Sequence, residues 1–205
     1  MVSTYTTNLG IEKIATGEQS GTWGDTTNFN IDILDRLISF KAVGLTGTTH
    51  TLTVREASPG SGTENLQDGM YRVIKFTGAL GANNTVTIAP NTTQVFLIII
   101  NATTDSGSSG PYSVILSQGS GANITVPNGF ANFVYADGAG AGAAVVSITD
   151  TLTMSGTKIT GGVITGITDL AVADGGTGAS TAAAARTNLG AAADGDAVAM
   201  AIALG

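Results

Sequence analysis

His50 is the one imidazole in this chain of 205 residues, and there is no Cys. A metal site needs several nitrogen, sulfur or carboxylate ligands at close spacing, so His50 reads as a surface residue of a strand. Disulfides, thiolate catalysis and structural zinc go with the missing cysteines. A Ser–His–Asp triad would have to use His50, and no GxSxG elbow occurs. Glycoside hydrolysis needs two carboxylates facing each other across a groove. Glu56, Glu64, Asp68, Asp105, Asp137 and Asp150 lie mostly in turn-like stretches instead. Asp194–Gly195–Asp196 lacks the remaining oxygen ligands and the Glu of a calcium loop, and Asp196 reads as a helix cap. Gly138–Ala143 (GAGAGA) has GxGxxA spacing, but Ala144–Thr149 after it is strand-like, so no helix N-terminus is there to hold phosphate; a Gly-rich hairpin turn fits better. Four sequons, at Asn83, Asn91, Asn101 and Asn123, follow from the abundance of Asn and Thr. The expectation is no enzyme: no catalytic residue, no metal and no cofactor.

The same inventory narrows the partners. Lys and Arg number 8 against 15 Asp and Glu, a net charge of −7. No basic stripe follows a phosphate backbone, which argues against nucleic acid. The longest apolar run, Val95–Ile100, is too short to cross a bilayer, and Met1–Gly17 has no signal-peptide pattern, so neither membrane insertion nor secretion is expected. Charged residues make up 11% where roughly 25% is usual. A surface that poor in charge stays soluble most simply by being buried against copies of itself. Trp23, the single tryptophan, sits between Gly21 and Gly24, where a large aromatic can anchor in a partner's pocket.

Three zones must position these residues. In residues 1–44, Gly17–Gly24 is a loop built around Trp23, and Asp25–Ile38 reads as a helix with Asp25, Thr26 and Thr27 as caps. Its apolar face is expected to run through Asn30, Ile33, Leu34, Leu37 and Ile38. Residues 45–150 read as short strands: Thr49–Ala57, Met70–Thr77, Thr85–Ala89, Gln94–Asn101, Tyr112–Ser117, Asn123–Val126, Asn132–Ala136 and Ala143–Thr149. Gly, Pro, Asn and Ser clusters separate them, a spacing that predicts an antiparallel β-sandwich or barrel. Val95–Ile100, apolar at every position, is expected to be a central strand.

Residues 151–205 change texture again. Ile159, Val163, Ile164, Ile167 and Leu170 are too sparse to enclose a core in one chain, and Gly161, Gly162 and Gly166 let backbones approach closely. That pattern fits a stem shared by several chains. Two short helices follow, Thr181–Leu189 stopped by Gly190 and Asp196–Leu204 stopped by Gly205. The stem reads as one that continues in another protein or was cut at Gly205.

Three stretches carry a resemblance. Thr6–Gly10 with Gly17–Asp35 (GEQSGTWGDTTNFNIDILD) resembles the N-terminal segment of tailed-bacteriophage tail fibres. Phe96–Asn101 with Tyr112–Gly138 (YSVILSQGSGANITVPNGFANFVYADG) is similar to the β-domain that often follows it. Ala173–Ala192 (ADGGTGASTAAAARTNLGAA) resembles the Gly-rich insert of fibre stems. The resemblance implies the proximal part of a homotrimeric virion fibre, made in the host bacterial cytoplasm and carried on the tail. Its N-terminus would dock to a tail adaptor, nozzle or baseplate protein, with a distal fibre protein as a further partner, in support of host attachment. Docking carries over onto Thr22, Trp23, Gly24, Asn28 and Asn30. The expected fold class is thus mainly β: an antiparallel β-sandwich flanked by an N-terminal loop-helix arm and a C-terminal intertwined trimeric stem with short helices. Competing readings are a module whose β-domain binds a host-surface glycan through loops such as Asp105–Pro111, with Tyr112 beside them, and a head fibre or decoration protein.

Overall fold

The computed structural model describes residues 3–55, 67–107, 109–151, 176–191 and 194–205. The protein is mainly β and divides into two units, Met1–Thr153 and Met154–Gly205.

The first unit begins with a hairpin of β1 (Thr4–Tyr5) and β2 (Glu12–Lys13), followed by helix α1 (Trp23–Arg36). Thereafter the chain alternates between two sheets. Strands β3 (Phe40–Gly44), β5 (Val73–Thr77) and β8 (Val95–Asn101) lie side by side in one sheet, and β4 (Thr49–Thr53), β7 (Asn84–Ala89) and β10 (Val114–Ser117) in the other. Short strands β6 (Ala79–Leu80) and β9 (Thr104–Asp105) pair with each other between them in sequence. Strand β11 (Ile124–Val126) then closes the four-stranded sheet, order β11-β10-β7-β4. Strands β12 (Ala131–Ala136) and β13 (Val145–Ser147) complete the five-stranded sheet, order β13-β12-β8-β5-β3.

Antiparallel pairing, expected from the spacing of strands and turns, is corrected here. Of the nine pairings among the described residues, five are parallel: β3 with β5, β5 with β8, β4 with β7, β7 with β10 and β6 with β9. Parallel neighbours need a crossover connection, usually a helix. Here each crossover is a strand of the opposite sheet, so the chain returns to the first sheet running the same way, as in successive coils of a β-solenoid. Backbone bonds continue the ladder around the corners: Leu45 N–H donates to Thr77 O (2.7 Å), and Thr104 N–H to Gly78 O (2.8 Å). Gly78 has φ +114°, and a Cβ there would lie 2.3 Å from Leu45 O, so the coils stack too closely for any side chain. The last three strands pair antiparallel and end the winding.

The core is one cluster fed by both sheets, with Leu52, Val86, Ile88, Val114 and Leu116 from the four-stranded sheet and Ile74, Phe76, Leu97, Ile99 and Val134 from the five-stranded one. Buried amides tie the corners. Asn101, fully buried, donates to Val126 O (2.9 Å) and accepts from Thr103 N–H (3.2 Å) and Oγ1 (2.7 Å). Gln118 donates to Thr93 O (2.7 Å) and accepts from Gly138 N–H (3.0 Å).

Helix α1 forms a second small cluster, Phe29 and Ile33 against Met70, Leu9 and Ile11. Its covered face is therefore Thr26, Phe29 and Ile33; of the expected face, Ile33 is buried and Asn30 turns inward, whereas Leu34 and Ile38 are exposed. The difference has a physical cause: α1 is apolar on more than one side, and Leu9, Ile11 and Met70 choose the side that is covered. The helix also starts two residues before Asp25, with Thr22 as a cap that makes no side-chain bond. Thr26, expected as a cap, is buried instead. Phe40–Gly44, placed by the sequence in the first zone, is the edge strand β3 of the five-stranded sheet.

In the second unit, α2 (Ala182–Leu189) is capped by Thr181 Oγ1, which accepts from Ala184 N–H (3.2 Å), and stopped by Gly190 at φ 64°. Helix α3 spans Asp194–Ala203. Ile159, Val163, Ile164, Ile167 and Leu170 lie outside the described residues.

Candidate functional site

The loop before α1 and the first eight residues of that helix hold the five residues assigned to docking, and the structure divides them. Asn30 turns inward: its Oδ1 accepts from Glu12 N–H (2.9 Å) and its Nδ2 donates to Glu12 O (3.0 Å). The amide thus pairs with β2 as a neighbouring strand would. Around it, Gln19 Nε2 donates to the buried carboxylate of Glu12, and Thr26 Oγ1 donates to Gln19 Oε1. Gln19 sits at φ 61°, a left-handed conformation uncommon for a residue with a side chain, and this chain of bonds holds it there. The sequence does not single out Glu12 or Gln19, and it marks Thr26 only as a helix cap. Their spacing has no local signal, because the partners come from β2, a loop and a helix.

The other motif residues face out. Trp23, the first residue of α1, is 62% exposed, and Thr22 and Asn28 are exposed as well. Gly24 has open space where a Cβ would be. The helix is thus held from behind by Asn30, Thr26, Phe29 and Ile33 while its leading turn presents an indole to solvent.

A second surface was not legible beforehand. On the five-stranded sheet, side chains on the side away from the core align in rows. Phe133 is opposite Ile98, Ile98 opposite Val73, and Val73 opposite Phe40. Beside this row, Tyr135 is opposite both Phe96 and Val146. The Arg72 guanidinium lies 5.5 Å from the Phe96 ring centroid, a cation–π contact, and Nη1 donates to Phe96 O. At the end of this face Gln94, Phe96, Tyr135 and Asp137 line a cleft of about 360 Å³. The matching side of the four-stranded sheet is different: Thr49, Thr51, Thr53, Thr85, Thr87 and Thr125 are turned away from the core, with Ser117, Ala89 and a single large aliphatic, Ile115, among them.

The residues weighed for chemistry are dispersed. His50 is on β4, at the edge of the four-stranded sheet. Asp105 accepts from Tyr112 N–H (3.2 Å), and Asp137 from Ala139 N–H and Ala144 N–H (both 3.0 Å). Asp68 pairs with Lys41 at 3.3 Å. Glu56 and Glu64 lie outside the described residues. Among the described residues no three His, Cys, Asp or Glu side chains converge as metal ligands. Gly138–Gly142 is the turn between antiparallel β12 and β13. Tyr112 packs on the core, so it is not an exposed aromatic beside the Asp105–Pro111 loop. No helix of the described residues is long and apolar enough to cross a membrane.

Compared with known proteins, the chain matches no family model, no curated protein and no solved structure.

Proposed function

We propose that this chain is the proximal part of a trimeric phage tail fibre: a structural virion protein without catalytic activity. It docks to a tail adaptor, nozzle or baseplate protein and supports host attachment. The ordered resemblance of its three stretches supports the class. The observation that carries docking is the division within α1, where Asn30 and Thr26 hold the helix and Trp23 stays 62% exposed on its leading turn. A large aromatic on a rigidly held element loses little freedom on binding, which is what an anchoring residue needs. Fibre assembly then rests on copies covering each other's apolar stripes, with Ile159, Val163, Ile164, Ile167 and Leu170 assigned to a stem shared by three chains.

Two measurements test this. Light scattering on the purified chain is expected to give three times 20.4 kDa, about 61 kDa. Trp23→Ala is expected to leave that mass and the circular dichroism unchanged while abolishing incorporation into tails. A variant that falls apart makes Trp23 a folding residue, and one that still assembles removes it from docking.

A second reading, a host-surface glycan-binding module, draws on the cleft at Phe96 and Tyr135, where two aromatics stand beside the polar side chains of Gln94 and Asp137. A glycan array probed with the full chain and with Tyr135→Ala tests it. Binding lost in the variant supports the module, and an array with no signal removes it.

A further inference from the structure

We infer that the outer face of the five-stranded sheet is the surface through which copies of this chain associate. The inference goes beyond the fibre reading, which assigns association to the stem, and it stands on the sheet itself.

One chain builds both sheets from strands of the same kind, and their solvent sides differ sharply. Threonine dominates the outer side of the four-stranded sheet, as water selects on an uncovered face. The five-stranded sheet instead carries the in-register row Phe133, Ile98, Val73 and Phe40, flanked by Tyr135 and Phe96. The four aromatics are 53% (Phe40), 37% (Phe96), 43% (Phe133) and 42% (Tyr135) exposed. At roughly 200 Å² for each whole side chain, they leave roughly 350 Å² in water. The half-buried aliphatics between them bring the patch to roughly 500 Å², the size of patch that usually marks an interaction site. That is more than half of the roughly 800 Å² each partner contributes to a stable interface, whose remainder is polar rim.

Charge selects a second copy as the occupant. The chain carries −7, so copies repel wherever their carboxylates meet. On these five strands no outward position is Asp or Glu, and Lys75 is the one outward cation. A like copy therefore meets these strands without opposing carboxylates. Arg72 over Phe96 and Asp137 in the cleft at the end of the face are of opposite sign, so the face carries no run of one charge to select a charged foreign partner. The central strand also explains itself this way. Strand β8 is apolar at six consecutive positions because Leu97 and Ile99 serve the core of their own chain while Phe96, Ile98 and Ile100 serve the contact with another.

The absence of Cys makes the test direct, because an introduced thiol is unique. Ile98→Cys places it at the centre of the face, and Thr87→Cys places a control on the outer side of the other sheet. In the full chain, the thiol at 98 is expected to react with a maleimide at least roughly tenfold more slowly than that at 87, and the protection is expected to fade on dilution as the mass falls. Equal reactivity at both positions overturns the inference. So does protection that persists in a monomer at every concentration, which would mean that the chain covers its own face. Should the cysteine variant fail to fold, Phe133→Lys and Thr87→Lys are compared by sedimentation. Dissociation by the first and not the second is expected, and an unchanged mass for both overturns the assignment. The two readings separate cleanly. A trimer with a reactive thiol at 98 keeps the fibre and removes this face, while a protected thiol in a protein absent from tails keeps the face and removes the fibre.

Discussion

Asn30 offers the sharpest test of how the N-terminal region is built, since the resemblance assigns it to docking and the geometry gives it an internal task. Asn30→Ala deletes two hydrogen bonds to the Glu12 backbone, at 2.9 and 3.0 Å, both partly buried. Each is worth about 1 kcal/mol net, so the hold of α1 on β2 is expected to weaken by about 2 kcal/mol. The loss is local, because α1 and β2 lie apart from the main core cluster, and α1 packs in the small one of Phe29, Ile33 and Met70 with Leu9 and Ile11 from just before β2. Native-state hydrogen exchange is the appropriate assay: the Glu12 amide and those of α1 are expected to exchange about thirtyfold faster, while amides of β7 and β8 keep their rates. Asn30→Asp should be worse at neutral pH. It keeps the acceptor for Glu12 N–H but sets a carboxylate against Glu12 O. Protonation restores a donor, so the folded state raises the pKa of the introduced carboxyl, and the deficit is expected to shrink as pH falls through the carboxylate range. Exchange at Glu12 that is unchanged in Asn30→Ala, combined with lost assembly onto tails, would refute the reasoning and return Asn30 to the docking surface.

Two further outcomes follow from the winding of the β unit. Asn101→Ala removes three bonds from a fully buried side chain and orphans Val126 O and Thr103 N–H, a loss of about 3 kcal/mol. Urea melts should show the midpoint falling by on the order of 1–2 M, and an unchanged midpoint would mean that water replaces the amide. Gly78→Ala puts a Cβ 2.3 Å from Leu45 O at φ +114°. It is expected to destabilise by more than about 2 kcal/mol in the same melts, whereas Gly44→Ala, where the space is open, should cost under about 1 kcal/mol.

Much of the local structure follows from residue type and spacing alone. Alternation of Val, Ile and Thr marks eight of the ten strands among the described residues between 45 and 150 to within a few residues, because period two follows directly from the pleat; the two-residue strands β6 and β9 are too short to show it. Gly190 stops α2 where a left-handed residue is required, and Gly138–Gly142 forms the expected hairpin turn rather than a phosphate loop. The edge strand Phe40–Gly44 escaped notice because Phe40, Ala42 and Gly44 leave it without a polar face to alternate against. Pairing direction was also beyond reach. A strand's own residues are the same whether its neighbour runs parallel or antiparallel, and only the path of the chain between layers decides it.

The same limit applies to the surfaces that matter for function. Residue types and spacing are enough to place most strands and helices, to show that charge is too sparse for an isolated surface, and to mark Trp23 as the single tryptophan. It takes the folded chain to pair Asn30 with Glu12 while Trp23 is left in water, and to bring Phe40, Val73, Ile98 and Phe133 into one row. Local propensity and pattern act over a few residues, and the sequence carries them openly. A bond between residues 12 and 30 depends on the small cluster that seats α1, and a row drawn from strands ninety residues apart depends on a register set by the core those strands share.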